Sequence, residues 1–269
     1  MAKFTRILIT GAAGRLGSVL RKELAPLAET LRLTDIADLG TAGPNEELVQ
    51  CDVGDMDKVL ELTRDVDAVV HLGGIPLENT FENILHANIR GSYNIYEACR
   101  QNGVSRVIYG SSNHAIGFYE RDAMIDSFVP HRPDSLYGLS KAFVEDLGRY
   151  YFDKFGLETV AIRIGSSFEE PTDRRMLATW MSFGDFAHMV ERALSVPRVG
   201  FLVVYGVSDN NEQFWNNQQA GILGYRPQDR ADDYREKVEA STPPSDPKDP
   251  AVIYCGGGFT AAGHYEDNH

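Results

Sequence analysis

The chain has 269 residues, 43% of them hydrophobic, and a formal net charge of −13. That length suits one large α/β unit and is enough to bury a substantial core, while the excess of acid makes nucleic acid and anionic membranes poor partners. No apolar run approaches the ~18 residues of a membrane span, Met1–Arg6 leads straight into a strand with no room for a signal peptide, and Cys51, Cys99 and Cys255 form no C-x-x-C pair or disulfide framework, so a cytoplasmic protein is expected.

In chain order, Arg6-Ile-Leu-Ile-Thr10 is a short β-branched run, the pattern of a strand buried on both faces. It passes directly into Gly11-Ala-Ala-Gly14-Arg15-Leu16-Gly17 and then a helical pattern carried by Val19, Leu20 and Leu24. Glycines at this spacing permit a tight turn, close approach of backbone to a pyrophosphate, and close packing of helix on strand. The helix start adds unpaired N–H groups and a positive dipole. The next apolar run, Thr30-Leu-Arg-Leu-Thr-Asp35, ends in a carboxylate that can accept from a ribose diol and repel a 2′-phosphate. NAD is therefore expected over NADP, although Arg15 in the loop is placed to face a phosphate.

Strand Glu47–Cys51, a helix near Asp55–Thr63, strand Ala68–His71, a helix across about Phe81–Arg100 and strand Arg106–Ser111 follow. After them come a long helix from Tyr137 to Phe155 and strand Glu158–Ile164. Such alternation predicts an α/β fold, a Rossmann-type doubly wound parallel sheet, with ligands at the carboxyl ends of its strands. Asp35, Asp52, Gly73, Gly74, Ser112 and Ser166 all fall at such ends. Beyond residue 165 the pattern loosens into a helix near Phe183–Leu194, a strand Phe201–Tyr205 and the turn-rich Pro243–Pro250. The expected division is 1–165 for the dinucleotide part and 166–269 for a small C-terminal substrate-binding cap.

The long helix carries Tyr137-Gly-Leu-Ser-Lys141 near its start, after Pro133, Asp134 and Ser135. A spacing of four places both side chains on one face about a turn apart. A nearby ammonium favours the phenolate. Bringing a phenol of pKa about 10 near neutrality takes about 4 kcal/mol of preferential stabilisation. Ser112, at the end of the preceding strand, adds a hydroxyl to fix a substrate oxygen. Tyr150 and Lys154 repeat the spacing at the far end of the helix, with no serine-rich strand end at a comparable distance. The histidines show no H-E-x-x-H or other ligand spacing, so no metal is expected.

With the glycine loop, Asp35, Asn88, Ser112, Tyr137 and Lys141 in place, the chain resembles the extended short-chain dehydrogenase/reductases over nearly its whole length. It is similar in particular to the uronate dehydrogenases, through His71-Leu-Gly-Gly-Ile75, Ser112-Asn-His114, Gly165-Ser166 and Arg175-Met-Leu-Ala-Thr-Trp180. The resemblance implies Ser112, Tyr137 and Lys141 as catalytic residues, with Asn88 supporting the lysine through water. It implies an NAD site from Gly11, Gly14, Arg15, Leu16, Gly17, Asp35, Ile36, Asp52, Val53, Leu72, Gly73, Gly74, Ile75, Asn88, Lys141 and Ser167. For the sugar it implies Ser112, Asn113, His114, Tyr137, Ser166 and Arg175, with Arg175 on the carboxylate and Arg174 as the neighbour that competes for that role. Pro76 stands where a polar contact is expected, so its contribution is limited to backbone. The implied activity is oxidation of galacturonate or glucuronate at the anomeric carbon to the aldarolactone, by a homo-oligomer, with a hexamer as the family expectation. The alternatives are a nucleotide-sugar epimerase or dehydratase, a reductase of another small carbonyl, and a non-catalytic NAD-binding sensor.

Overall fold

A computed structural model describes residues 4–267. Strand β1 (Phe4–Thr10), helix α1 (Arg15–Glu23), β2 (Ala28–Asp35), β3 (Glu46–Gln50), α2 (Met56–Leu62) and β4 (Ala68–His71) open the fold. Then come α3 (Phe81–Ile84), a π-helical turn (Leu85–Arg90), α4 (Gly91–Asn102), β5 (Arg106–Ser112), α5 (Leu136–Phe155) and β6 (Glu158–Ile164). The remainder holds β7 (Ser166–Ser167), α6 (Met176–Thr179), β8 (Trp180–Met181), α7 (Phe183–Ser195), β9 (Phe201–Gly206), α8 (Arg235–Ser241), α9 (Pro250–Ile253) and α10 (Gly258–Ala261).

Seven strands form one parallel sheet in the order β3-β2-β1-β4-β5-β6-β9. Because side chains alternate across a strand, the continuous apolar runs read from the sequence feed two cores. Ile7, Ile9, Val70, Ile108 and Ile162 pack with Leu20 of α1 and Phe186, Met189 and Val190 of α7 on one face. Leu8, Val69, Val107, Tyr109 and Ala161 pack with Val59 of α2, Ile95 and Tyr96 of α4, and Val144 and Tyr151 of α5 on the other. Burying strands on both sides in this way is what makes an all-parallel sheet stable. The order reverses between β1 and β4, which opens a crevice beyond their carboxyl ends.

Two expectations change. The helix across Phe81–Arg100 is interrupted by the π-helical turn, whose extra residue per turn accompanies the inward placement of Asn88. The division at residue 165 passes through the sheet: β9 pairs with β6 in parallel, and α7 covers the same core as α1. What remains as a cap is the two-stranded β7–β8 sheet with α6, and the segments after β9. Among the described residues no helix is long and apolar enough to cross a membrane.

Candidate active site

At the crevice, Gly11 takes φ +69°, and a Cβ there would stand 2.8 Å from the Leu72 carbonyl carbon; a Cβ on Gly17 would collide with the Gly11 carbonyl oxygen. The turn after β1 therefore closes against the turn after β4. Thr10 holds that second turn through its Oγ1, which accepts from Gly73 N–H at 3.0 Å and lies 2.7 Å from His71 Nδ1. Burial, aided by the Lys141 charge, lowers His71 to about 3, so it works as a neutral brace. Helix α1 begins at Gly14 with no side-chain cap, leaving its first-turn N–H groups free for an anion. The Asp35 carboxylate accepts from Ala13 N–H and Ala37 N–H, both at 3.0 Å, which fixes it beside the glycine loop. A glycine cradle, an uncapped helix start and a carboxylate at the end of β2 fit a dinucleotide whose ribose carries a free diol.

The other expected cofactor residues divide. Ile36 stands exposed just past Asp35, and Asp52 pairs with His86 Nε2 at 2.8 Å. Arg15 crosses to the cap, donating to the Ser167 carbonyl at 3.3 Å with its guanidinium carbon 4.3 Å from the Phe168 ring centroid. Leu16 is partly buried against the core, and the Val53 side chain is buried in the second core. Asn88 is buried and clamps Ile75, accepting from its N–H at 2.8 Å and donating to its carbonyl at 3.0 Å. Its amide also reaches Ser140 Oγ at 3.0 Å. Asn88 thus ties the turn after β4 to α5.

Helix α5 starts where it does because its first N–H groups are all met. Ser135 Oγ accepts from Gly138 N–H at 2.9 Å, and Glu78 accepts from Leu136 and Tyr137 N–H at 3.0 and 2.8 Å. Tyr137 is buried beside Ser112, whose hydrogen bond to it favours the phenolate, yet burial prevails and pushes Tyr137 up to about 12. Desolvation thus opposes the influence of Lys141 on the phenol. The ammonium donates to the Gly110 carbonyl at 2.7 Å, with Nζ 5.4 Å from the Tyr137 ring centroid, and burial lowers Lys141 itself to about 8 against the raising influence of Glu145. Tyr150 and Lys154, at the same spacing, lie on the exposed end of α5.

Beyond β5 a short 3-10 turn (Asn113–Ile116) is capped by Ser112, whose Oγ accepts from His114 N–H at 3.2 Å. Asn113 is 1% exposed and its amide is fully engaged, donating to the Ile164 and Gly165 carbonyls and accepting from Arg175 Nη2 at 2.7 Å. It supports Arg175. Arg175 also donates from Nη1 to Ser166 Oγ at 3.1 Å and from Nε and Nη2 to the Cys255 carbonyl at 3.0 and 2.6 Å. Arg174 turns the other way, to the Thr242 and Glu239 carbonyls of α8 and its end. Ser166 is shared with Thr179 Oγ1 at 3.0 Å, Ser167 donates to the Met181 carbonyl, and Pro76 is exposed. Burial and the like charge of Arg121 lower Arg175 to about 10.

Three contributors were missed. Glu78 caps α5, Asp134 pairs with His114 Nδ1 at 2.7 Å, and Phe259 of α10 packs against the His114 ring, tilted by 32° with centroids 3.9 Å apart. The signal available for the last was Gly256-Gly-Gly258, a run that lets backbone approach closely. A Cβ on Gly257 would stand 2.7 Å from Arg175 Cδ.

Comparison with known proteins adds a family and relatives. The NAD dependent epimerase/dehydratase family matches residues 7–182. The uronate dehydrogenase of Pseudomonas syringae pv. tomato is 53% identical over 265 residues, covering 98% of this chain and 96% of that protein. The crystal structure of a glucuronic acid dehydrogenase from Chromohalobacter salexigens matches with a TM-score of 0.96 at 51% identity, covering 98% and 99% of the two chains. A uronate dehydrogenase mutant from Agrobacterium tumefaciens, crystallised in complex with NAD, matches at 0.95 and 48% identity, covering 97% and 99%.

Proposed function

The chain belongs to the NAD dependent epimerase/dehydratase family and, within it, to the uronate dehydrogenases, and on that premise we propose that it oxidises free hexuronic acids, galacturonate and glucuronate, at the anomeric carbon to the aldarolactone with NAD. The observation that carries this reading is Arg175. It is a largely enclosed cation whose hydrogen-bond partners, Ser166, Asn113 and the Cys255 carbonyl, are all neutral, and no carboxylate among the described residues lies within ion-pair distance of it. A cation with no carboxylate in direct contact, bonded to Asn113 next to Ser112, fits a ligand that brings its own carboxylate. Four of its five N–H donors are engaged, so a carboxylate meets the remaining Nη1–H beside Ser166.

When bound, NAD supplies a hydride acceptor at nicotinamide C4 and one positive charge. The chain does the rest. Ser112 and Tyr137 hold the anomeric hydroxyl, and Tyr137, in its phenolate form, takes the hydroxyl proton and becomes the neutral phenol as the C1–H bond gives up its electron pair. The Lys141 ammonium, 5.4 Å from the Tyr137 ring centroid, favours that phenolate against the desolvation that opposes it. The lactone then opens in water without help from the protein. Asp35 and the glycine loop hold the cofactor, and Asn88 holds the turn at Ile75 against it. A homo-oligomer, hexameric by family expectation, is supported by the exposed apolar side chains Tyr93, Leu139, Phe143 and Tyr150 on α4 and α5. A cytoplasmic setting is supported by three unpaired, buried cysteines.

The test is NADH formation with galacturonate, glucuronate, the matching neutral hexoses and uridine-diphosphate sugars in parallel. Turnover of the free uronates alone is the expected result. Preference for the nucleotide sugars would replace the reading with an epimerase or dehydratase.

A further inference from the structure

The N-terminal turn that presents Tyr137 also places Asp134. This carboxylate is wholly enclosed, in a recess that glycines leave open: a Cβ on Gly117 or on Gly256 would collide with its Oδ2, and one on Gly138 would stand 3.1 Å from its Oδ1. Its Oδ1 accepts from the Ser135 hydroxyl at 2.8 Å, and its Oδ2 stands 2.7 Å from His114 Nδ1. An ionised carboxylate only accepts, so the hydrogen in that second contact belongs to Nδ1, and in a neutral imidazole Nε2 is then an acceptor. The ring has little freedom to turn away. Phe259 lies against its face at 3.9 Å between centroids, and Tyr137 meets it edge-on at 5.7 Å. The backbone on either side is pinned as well, by Asp134 N–H to the His114 carbonyl at 3.4 Å and Arg132 N–H to the Ala115 carbonyl at 3.1 Å.

We propose that Asp134 is a positioning residue that fixes His114 in the Nδ1–H tautomer, so that Nε2, on a ring held edge-on to Tyr137, accepts from a hydroxyl of the sugar acid. This rests on the reading of the site as a uronate pocket and deepens it: His114 selects for a hydroxyl that donates, and discriminates against a carbonyl or hydrogen in its place. A buried acceptor facing a substrate hydroxyl discriminates far more strongly than apolar contact does.

Two measurements test it. In the full chain with NAD bound, at alkaline pH where imidazole is neutral, the nitrogen resonances of labelled histidine, assigned with His114→Gln, are expected to place the proton of His114 on Nδ1. A proton on Nε2 overturns the proposal. In kinetics, Asp134→Asn is expected to raise KM for the uronate about tenfold with a smaller change in kcat, and to add less than about threefold in the His114→Gln background, since a residue acting through another is silent once that other is gone. An equal loss in both backgrounds means a merely structural role and overturns it. The tautomer is measured without uronate, so an inactive protein with the proton on Nδ1 refutes the uronate reading alone, and an active one with the proton on Nε2 refutes this proposal alone.

Discussion

Tyr137 and Lys141 share one face of α5 without touching through their polar ends: the ammonium is 5.4 Å from the tyrosine ring centroid and is bonded to Gly110 instead. Burial sets the acid-base behaviour of both, raising the phenol to about 12 and lowering the amine to about 8. The pair therefore releases its first proton near 8, and the form one proton short is the one able to take a proton from substrate, whichever atom is drawn without it. The rate kcat/KM for uronate should climb with pH and flatten near 8. Lys141→Met should shift the ascending limb upward and cut the rate at neutral pH by at least about a hundredfold, on the scale of general-base contributions. Initial rates across pH check this; a flat wild-type profile between about pH 6 and about pH 9 would contradict it.

The same burial carries a stability cost. Lys141 titrates near 8 in the folded chain against 10.5 normally, so the stability linked to its neutral form is complete only above the unfolded value and is lost as pH falls through about 8. At pH 7 the enclosed ammonium works against folding by on the order of 1–3 kcal/mol after its bond to Gly110 is allowed for. Lys141→Met should raise Tm of the ligand-free protein at neutral pH by a few degrees and lose that advantage above about pH 10. Melting curves at the two pH values decide the point, and a lower Tm at pH 7 would count against it.

Glu78 meets two N–H groups at the start of α5, one of them on Tyr137 itself. Glu78→Ala should lower stability by about 1 kcal/mol, as loss of a helix cap does, and should reduce kcat more than it raises KM, because the tyrosine loses its backbone anchor. Thermal melts with steady-state kinetics check both. Unchanged kcat with lowered Tm would confine Glu78 to stability.

Adjacent arginines offer an internal control. Arg175 faces Ser166 and Asn113, whereas Arg174 is bonded to carbonyls at α8 and its end. Arg175→Ala should raise KM for uronates at least tenfold, about 1.4 kcal/mol or more, with little change for a neutral sugar at high concentration. Arg174→Ala should leave both nearly unchanged. The comparison needs only KM values for the two variants on one charged and one neutral substrate. Equal losses on both substrates would remove the carboxylate from Arg175.

What was legible in the sequence was what depends on neighbours along the chain. The glycine loop and Asp35 declare themselves because a turn and a strand end are local demands on backbone geometry, and Tyr137 and Lys141 follow from helical spacing. The same spacing at Tyr150 and Lys154 yields an exposed surface pair, so spacing alone does not report burial. The acid-base balance at Tyr137 shows the same limit: an ammonium one turn away is visible in sequence, the desolvation that opposes it is not. Asp134 reaches His114 across 20 residues and Glu78 reaches Tyr137 across 59, contacts made by the fold. After residue 165 the sequence shows α7 and β9 as a helix and a strand, but not that they complete the main sheet and its cover, because that pairing is made by the fold.

The most direct single measurement is the rate of NADH appearance with galacturonate or glucuronate for wild type and Tyr137→Phe, with NAD binding titrated in both. The expected result is that wild type turns over both acids while Tyr137→Phe binds NAD with similar affinity and loses at least about a thousandfold in kcat, the upper range for a missing general base. Turnover by Tyr137→Phe within about tenfold of wild type would show that the proton leaves by another route.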